Sequence, residues 1–594
     1  LRVDDRRQTT DDGKRDCDTD NRQPSTTLNQ EQHTMAEYDF SHFYKYDEIR
    51  SFLEAIARDY SDLVSLSSVG KSHEGRDIML ATLTNKKTGP DTDKPAYWID
   101  ANIHAGEVTG SAVALYTIWS YTANYGKDER VTSLLDDYVV YVLPRISVDG
   151  AEMYLTTPHM LRSSTRRYPY EDDREGLYPD DIDGDGRILQ MRMKDPDGAW
   201  KASEKDPRVM IHRGPDEFGG TYYHLITEGI INDWDGYEIK QAPMRHGLDL
   251  NRNFPFDWAP EGNQHGAGEF PFSEPETRAV AQFWAAHRNI NGFLTYHTSA
   301  GVLLRPYSTH PDDHFATNDL DIYKMIGERG TELTGYPSVS VFHNFAYDPK
   351  EPMHGAMDDY GFDFYGWFGF TCELWDAPTA AGLDMKNDWI GWTKHHPEED
   401  DLAMMTWNDE KTGGQAFQAW REFDHPQLGK VEIGGWDTKG YIQNAPPEYL
   451  PELCEKQCSF TLAHALMSPR LELKEAKVEE QNEGVYKLSL VVANRGFLPT
   501  YTSQRAQERK AVRPVEVSVR LPEGAAIVTG KATQEIGQLE GRTNKIYGGW
   551  FSSRNVTDNQ KHLEWVVRAP SGGEVDIEVK SDRAGTIRTR LPLR

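Results

Sequence analysis

The run Trp98-Ile-Asp-Ala-Asn-Ile-His104-Ala-Gly-Glu107 sets an imidazole and a carboxylate three positions apart, just beyond an apolar strand and ahead of a helical stretch. A pair at that spacing can close on one metal ion from a loop. On its own, a His-x-x-Glu match arises by chance in many chains of this length, so a third ligand is needed. His297 is a candidate: it ends the β-run Gly292-Phe-Leu-Thr-Tyr-His297 and precedes the turn-prone Thr298-Ser299-Ala300-Gly301. Two imidazoles and one carboxylate, with a fourth position left to water, have the composition of a catalytic rather than a structural zinc site.

Two further segments extend the pattern: Asp249-Leu-Asn251-Arg252-Asn253-Phe254 and Phe370-Thr-Cys-Glu373-Leu-Trp375-Asp376. With them the sequence resembles the zinc carboxypeptidases, the M14 metallopeptidases typified by the pancreatic carboxypeptidases A and B. The likeness covers roughly residues 38–466. Its anchors stand in the family's order: Gly70-Lys-Ser-x-Glu74-Gly-Arg-Asp77, His104-x-x-Glu107, Leu143-Pro-Arg-x-x-x-Asp149-Gly150, Arg162, Asn251-Arg252, His297 and Glu373.

The resemblance implies an enzyme that removes single residues from the C-terminus of peptides, with these roles. His104, Glu107 and His297 would hold zinc, which lowers the pKa of bound water to about 7 and polarises the scissile carbonyl. Glu373 would take a proton from that water and pass it to the departing amine. Arg162 would face the developing oxyanion, although Arg166 and Arg167 lie close enough to be rivals. Arg252, with Asn251, would clamp the terminal carboxylate through paired N–H donors, which lysine cannot reproduce. Asp249 would fix the tautomer of His104.

The sequence also departs from the family. The pancreatic enzymes carry an arginine just before the zinc-binding glutamate, where this chain has Gly106. An ungapped count from Glu373 puts Glu351 where a substrate-closing tyrosine is expected, whereas Tyr347 lies four residues upstream in a loop that could shift. The same count aligns Met357-Asp358-Asp359-Tyr360 with a stretch of the B-type enzymes, so Asp358 would stand at the base of the side-chain pocket and favour Lys or Arg. An ordinary loop acid or a helix cap is the alternative. Asp181-Ile-Asp183-Gly-Asp185-Gly186 matches the first half of a calcium loop, but Arg192 replaces the usual twelfth-position glutamate. Calcium and a metal-free Asp/Gly turn both stay open.

These residues need a scaffold. Apolar positions Ile49, Phe52, Leu53, Ile56 and Ala57 predict a helix over 46–60. Short β-rich runs follow at 79–84, 97–101, 138–143, 293–297, 338–342 and 370–373, separated by helical stretches such as 110–124 and 274–287. That alternation predicts an α/β domain with a mixed, mostly buried sheet, its site at strand ends. Residues 163–248 break the rhythm and read as a long insertion over one face. After a helix over 449–466 the pattern alternates at Val485–Val492, Val515–Val519 and Val575–Val579, which predicts a C-terminal all-β sandwich. The expected division is 1–37 disordered, 38–467 catalytic and 468–594 β-sandwich.

With 95 acidic against 65 basic side chains, a formal charge of −30 argues against nucleic-acid or anionic-membrane binding. No apolar run suits a membrane span. The expected partner is a peptide with a free C-terminus, and oligomeric state is left open. The stretch Val491–Pro499 resembles the sandwich tails of bacterial extracellular hydrolases, which points to export, while the N-terminus has no apolar leader; secreted, periplasmic and cytoplasmic locations all stay open. The four cysteines are too few for a disulfide scaffold, and Cys454 and Cys458 read as packing residues. Two other functions compete: a cell-wall or isopeptide-cleaving hydrolase of the same family, and a silent binding protein. The second predicts loss of a ligand or of Glu373, and all are present.

Overall fold

A computed structural model describes residues 35–348, 350–385, 388–545, 556–569 and 572–594. Of the segment 1–37 expected to be disordered, residues 1–34, and Cys17 with them, lie outside the described residues.

The part of the chain before Leu471 is built on an eight-stranded mixed sheet. From edge to edge its strands are Val64–Lys71, Asp77–Leu83, Val139–Leu143, Ala96–Ala101, Ile290–Thr298, Phe368–Leu374, Val302–Arg305 and Ser338–Ser340. The four central ones, from Val139–Leu143 to Phe368–Leu374, run parallel. Every residue of Ala96–Ala101, Val139–Leu143 and Ile290–Thr298 is buried, as parallel strands covered on both faces require. Alternation then assigns the two faces. Trp98 and Phe293 pack against Trp284 of the helix Pro275–Ala286. Tyr97 meets His464 of the helix Leu450–Ala465, which packs beside Val108–Asn124.

The predicted helices form within a few residues of their expected ends. One strand differs: 338–342 is extended only over Ser338–Ser340, and Val341–Asn344 turns helical with Ser340 accepting from the His343 amide as its cap. The insertion is more ordered than its composition suggests. Gln190–Lys194, Trp200–Ala202, Met210–His212 and Tyr223–Thr227 join Phe417–His425 and Gly429–Trp436 in a six-stranded sheet. Its small core, Leu189, Met191, Val431 and Ile433, draws on segments more than two hundred residues apart.

The described residues from Leu471 onward include two four-stranded antiparallel sheets that share one core, with Leu488, Leu490 and Trp565 from one sheet and Val517, Ile577 and Val579 from the other. They dock at the N-terminal end of the Ile290–Thr298 strand: Asn291 Nδ2 donates to Arg583 O and Asn291 Oδ1 accepts from Thr502. Buried Asp363 takes both Arg505 and Arg509. The C-terminal ends of the parallel strands, where loops gather, are left to the site. Among the described residues no helix is long and apolar enough to cross a membrane.

Candidate active site

His104 and Glu107 occupy the turn between the strand Ala96–Ala101 and the helix Val108–Asn124; His297 and Glu373 face each other in register on adjacent parallel strands. The two histidines and Glu107 are each at most 4% exposed. His104 Nδ1 and His297 Nδ1 lie 3.2 Å apart, with Glu107 Oε1 2.7 Å from the first and Oε2 3.1 Å from the second. Glu107 Oε2 and His297 Nε2 are buried without a hydrogen-bond partner. Asp249 Oδ1 sits 3.0 Å from His104 Nε2, which places that ring's proton on Nε2 and leaves the Nδ1 lone pair facing inward. Electron-pair donors converging in a dry spot are satisfied by a cation rather than by one another. Burial opposes ionisation of Glu107, and positive charge on the flanking imidazoles outweighs it and lowers its pKa, a place a bound cation would take. Burial also holds His297 below the usual histidine range, a direction that favours the neutral imidazole a metal requires.

Arg162 is the arginine of its segment that faces this centre. Its Nε donates to Asp249 Oδ2 at 2.8 Å and its Nη1 lies 3.7 Å from Glu107 Oε1. The rivals are engaged elsewhere: Arg166 with buried Glu274 at 2.6 Å, and Arg167 with Asp173 at 2.8 Å. The backbone sets this arrangement. Ala105 N donates to Arg162 O at 2.8 Å, and Gly150 lets the segment pass, because a Cβ there would stand 1.8 Å from Ser163 O. Asp149 ties down the preceding turn through Ser72 Oγ, Glu74 N and Arg76. Arg162, Arg252 and His104 together outweigh the burial of Asp249 and hold its carboxyl well below the usual range.

Asp249 N-caps a short helical turn, Leu250–Arg252, by accepting from Asn251 N at 2.8 Å. Arg252 is 7% exposed; its Nη1 donates to Asn251 O and its Nη2 lies 3.1 Å from Met353 Sδ. Asn251 Oδ1 accepts from Met357 N, so its carbonyl is spent on the start of the helix Met357–Tyr365. Asp358, in that helix's first turn, is buried, accepting from Asp359 N and from Thr371 Oγ1 at 3.2 Å. Burial raises its pKa. Glu373 is pushed well above the carboxylate range, by burial first and then by Glu107. Tyr347 is 55% exposed as a residue, while burial of its hydroxyl raises the pKa against the opposing charge of Arg162.

The Asp-rich turn stands apart. Asp181 accepts from the backbone of Gly184, Asp185 and Gly186, while Arg421 pairs with Asp183 and Asp185. Carboxylate oxygens of Asp181, Asp183 and Glu228 still lie within 4.8 Å of one another. Cys372, Cys454 and Cys458 are free and buried. Two contributors escaped the sequence reading. Thr371 lies two positions before Glu373 on one strand, so period-two alternation could have placed it on the site's face. Lys394 Nζ donates to Tyr347 O at 2.7 Å across a long separation that leaves no sequence signal.

The sequence matches the family model described as zinc carboxypeptidase over residues 49–390, and one described as a domain of unknown function over residues 470–592. Carboxypeptidase A6 of Mus musculus is 24% identical over 282 residues, 46% of this chain and 47% of that one, so the chain spans about half the length of that relative. Carboxypeptidase B of Astacus astacus is 29% identical over 362 residues, 59% of this chain and 92% of that one. The crystal structure of thrombin activatable fibrinolysis inhibitor aligns with a TM-score of 0.43 and 18% identity, over 72% of this chain and 74% of the other. On the family match, which spans more than half of its length, the chain belongs to the zinc carboxypeptidase family.

Proposed function

We propose that the chain is a zinc-dependent carboxypeptidase that hydrolyses the C-terminal peptide bond of peptides, carried by residues 38–467 with 468–594 as an appended β-sandwich. One observation carries the reading: His104 Nδ1, His297 Nδ1 and the Glu107 carboxylate converge in a buried spot where Glu107 Oε2 has no hydrogen-bond partner. His104, Glu107 and His297 would hold one zinc ion, which when bound supplies Lewis acidity and an acidified water. Asp249 keeps the His104 proton on the far nitrogen. Glu373, beside His297, accepts a proton from the attacking water and returns it to the leaving amine. Its raised pKa suits the second half of that task, and a nearby cation would draw it back towards the ionised form. Arg162 presents a fixed charge to the carbonyl oxygen, where such a group in a dry site is worth roughly a hundredfold or more in rate. Arg252 and Asn251 receive the terminal carboxylate, which makes the reaction exopeptidic, and Tyr347 closes from the rim.

Asp358 at the pocket base would pair with a C-terminal Lys or Arg, since a buried carboxylate without a cation is costly. The reading needs no calcium: Arg421 already supplies positive charge to Asp183 and Asp185.

The test removes metal with a chelator, restores zinc, and compares release of C-terminal Arg, Phe and Glu from blocked dipeptides with the same substrates as C-terminal amides. Zinc-dependent release from free acids alone supports the Arg252 clamp, and preference for Arg supports Asp358. Silence on every free acid despite bound zinc sinks the reading in favour of a cell-wall or isopeptide substrate.

A further inference from the structure

The segment 438–445 lies beyond the stretch matched by the zinc carboxypeptidase family, yet it is bonded to the backbone around Glu107. Asn444 is 1% exposed. Its Nδ2 donates to Gly106 O at 2.8 Å, to Tyr154 Oη at 3.0 Å and to Lys439 O at 3.3 Å. Its Oδ1 accepts from Thr109 N at 3.1 Å and from Thr109 Oγ1 at 3.0 Å. Ala445 N then donates to Thr109 Oγ1 at 3.1 Å. One amide side chain therefore holds the carbonyl just before Glu107 and the amide two residues after it.

The approach depends on Gly106. A Cβ there would stand 2.7 Å from Gln443 Oε1, 2.8 Å from Gln443 Nε2 and 2.9 Å from the Tyr154 ring. Glu107 itself has φ −92° and ψ 53°, outside the helix it precedes, and its side chain makes no capping bond. Within the turn two long bonds, Glu107 N to His104 O and Gly110 N to Glu107 O at 3.2 Å each, support the conformation that aims its carboxylate at His104 and His297. We propose that Asn444 is a positioning residue for the metal site, fixing Gly106 and Thr109 so that Glu107 presents its carboxylate where the two imidazoles converge. The inference rests on reading His104, Glu107 and His297 as zinc ligands. An amide suits the place because it offers donors and an acceptor in one planar group. Alanine would strand a buried carbonyl and amide, and aspartate would lose the donors and add a charge.

The experiment uses the full chain and measures zinc affinity by competition with a chromogenic chelator, together with the melting temperature of stripped and zinc-loaded protein. Asn444→Ala should weaken zinc binding by roughly 10–100-fold, the usual effect of losing a group that orients a metal ligand. The zinc-induced rise in Tm should shrink with it. Thr109→Val, which removes one hydroxyl and keeps the shape, should show a smaller loss in the same direction. Asn494→Ala is the control: Asn494 is equally buried and bonded, to Leu498 O, Glu540 O, Arg470 N and Gly496 N, but in the C-terminal sheets. It should lower both melting temperatures together and leave zinc affinity unchanged. Wild-type affinity in Asn444→Ala, or in Thr109→Val should the alanine variant not fold, overturns the inference alone. A wild-type protein that holds no zinc overturns the reading of the site and the inference with it.

Discussion

At the scale of single residues, Glu373 and Arg252 carry predictions that separate chemistry from binding. Glu373→Gln keeps the shape of the side chain and removes proton transfer. It should lower kcat by at least about 10²–10⁴-fold while zinc stoichiometry stays at the wild-type value, as read by single-turnover kinetics and metal analysis. Arg252→Lys keeps the charge and loses the fork, so the penalty should fall mainly on KM for free-acid substrates, with discrimination against C-terminal amides reduced. Asp358→Asn should erase any preference for C-terminal Arg over Phe and leave zinc binding alone; unchanged ratios would remove Asp358 from the pocket. His104, Glu107, His297 and Glu373 each end or follow an apolar strand, whereas Asn251-Arg252 follows an irregular segment and could be joined to them only through the order of motifs that the family resemblance supplies. What remained hidden was long-range partnership. Whether Arg162, Arg166 or Arg167 faces the centre depends on where Asp249, Glu274 and Asp173 lie, and no local pattern encodes those pairings.

At the scale of elements, the helix Pro275–Ala286 holds a buried acid in its first turn. Glu276 Oε1 accepts from His73 N at 2.8 Å and Oε2 has no partner; burial raises its pKa to about 7. A carboxyl whose folded pKa is raised contributes stability that is complete below the unfolded value, near 4.5, and is lost as pH rises through about 7. Glu276→Gln keeps the acceptor for His73 and cannot ionise. Relative to wild type it should gain on the order of 3 kcal/mol of unfolding free energy between pH 4.5 and pH 8, measured by urea titration at both. Parallel pH profiles for the two proteins would contradict this. The same scale explains what sequence periodicity could read. Strands such as Val139–Leu143 are continuous apolar runs and were legible. Gln190–Lys194 buries only Met191, and its partner Gly429–Trp436 lies far along the chain, so neither period nor proximity announced that sheet. The strand predicted to continue to Phe342 ends at Ser340 because that serine caps a helix instead.

At the scale of the whole molecule, the C-terminal sheets dock at the end of the strands opposite the site. Asp363 is fully buried and meets Arg505 and Arg509 there. Removing both arginines strands a buried carboxylate, so the double alanine variant should lose roughly 3–5 kcal/mol of stability by denaturant melts while kcat/KM at moderate temperature stays at the wild-type value. A fall in activity without a fall in stability would mean that the sheets reach the site. The alternation after Leu471 announced the paired sheets, whereas the docking surface rests on Asn291, Asp319 and Asp363 contacts that only the folded chain brings together. The central claim is that one buried centre runs the hydrolysis through zinc. It is tested most directly by titrating metal-free protein with zinc and following release of the C-terminal residue from a blocked dipeptide. The account predicts a rate near zero without metal that rises linearly and saturates at one equivalent per chain. Full activity in the metal-free protein, or zinc bound at one equivalent with no release, would contradict it.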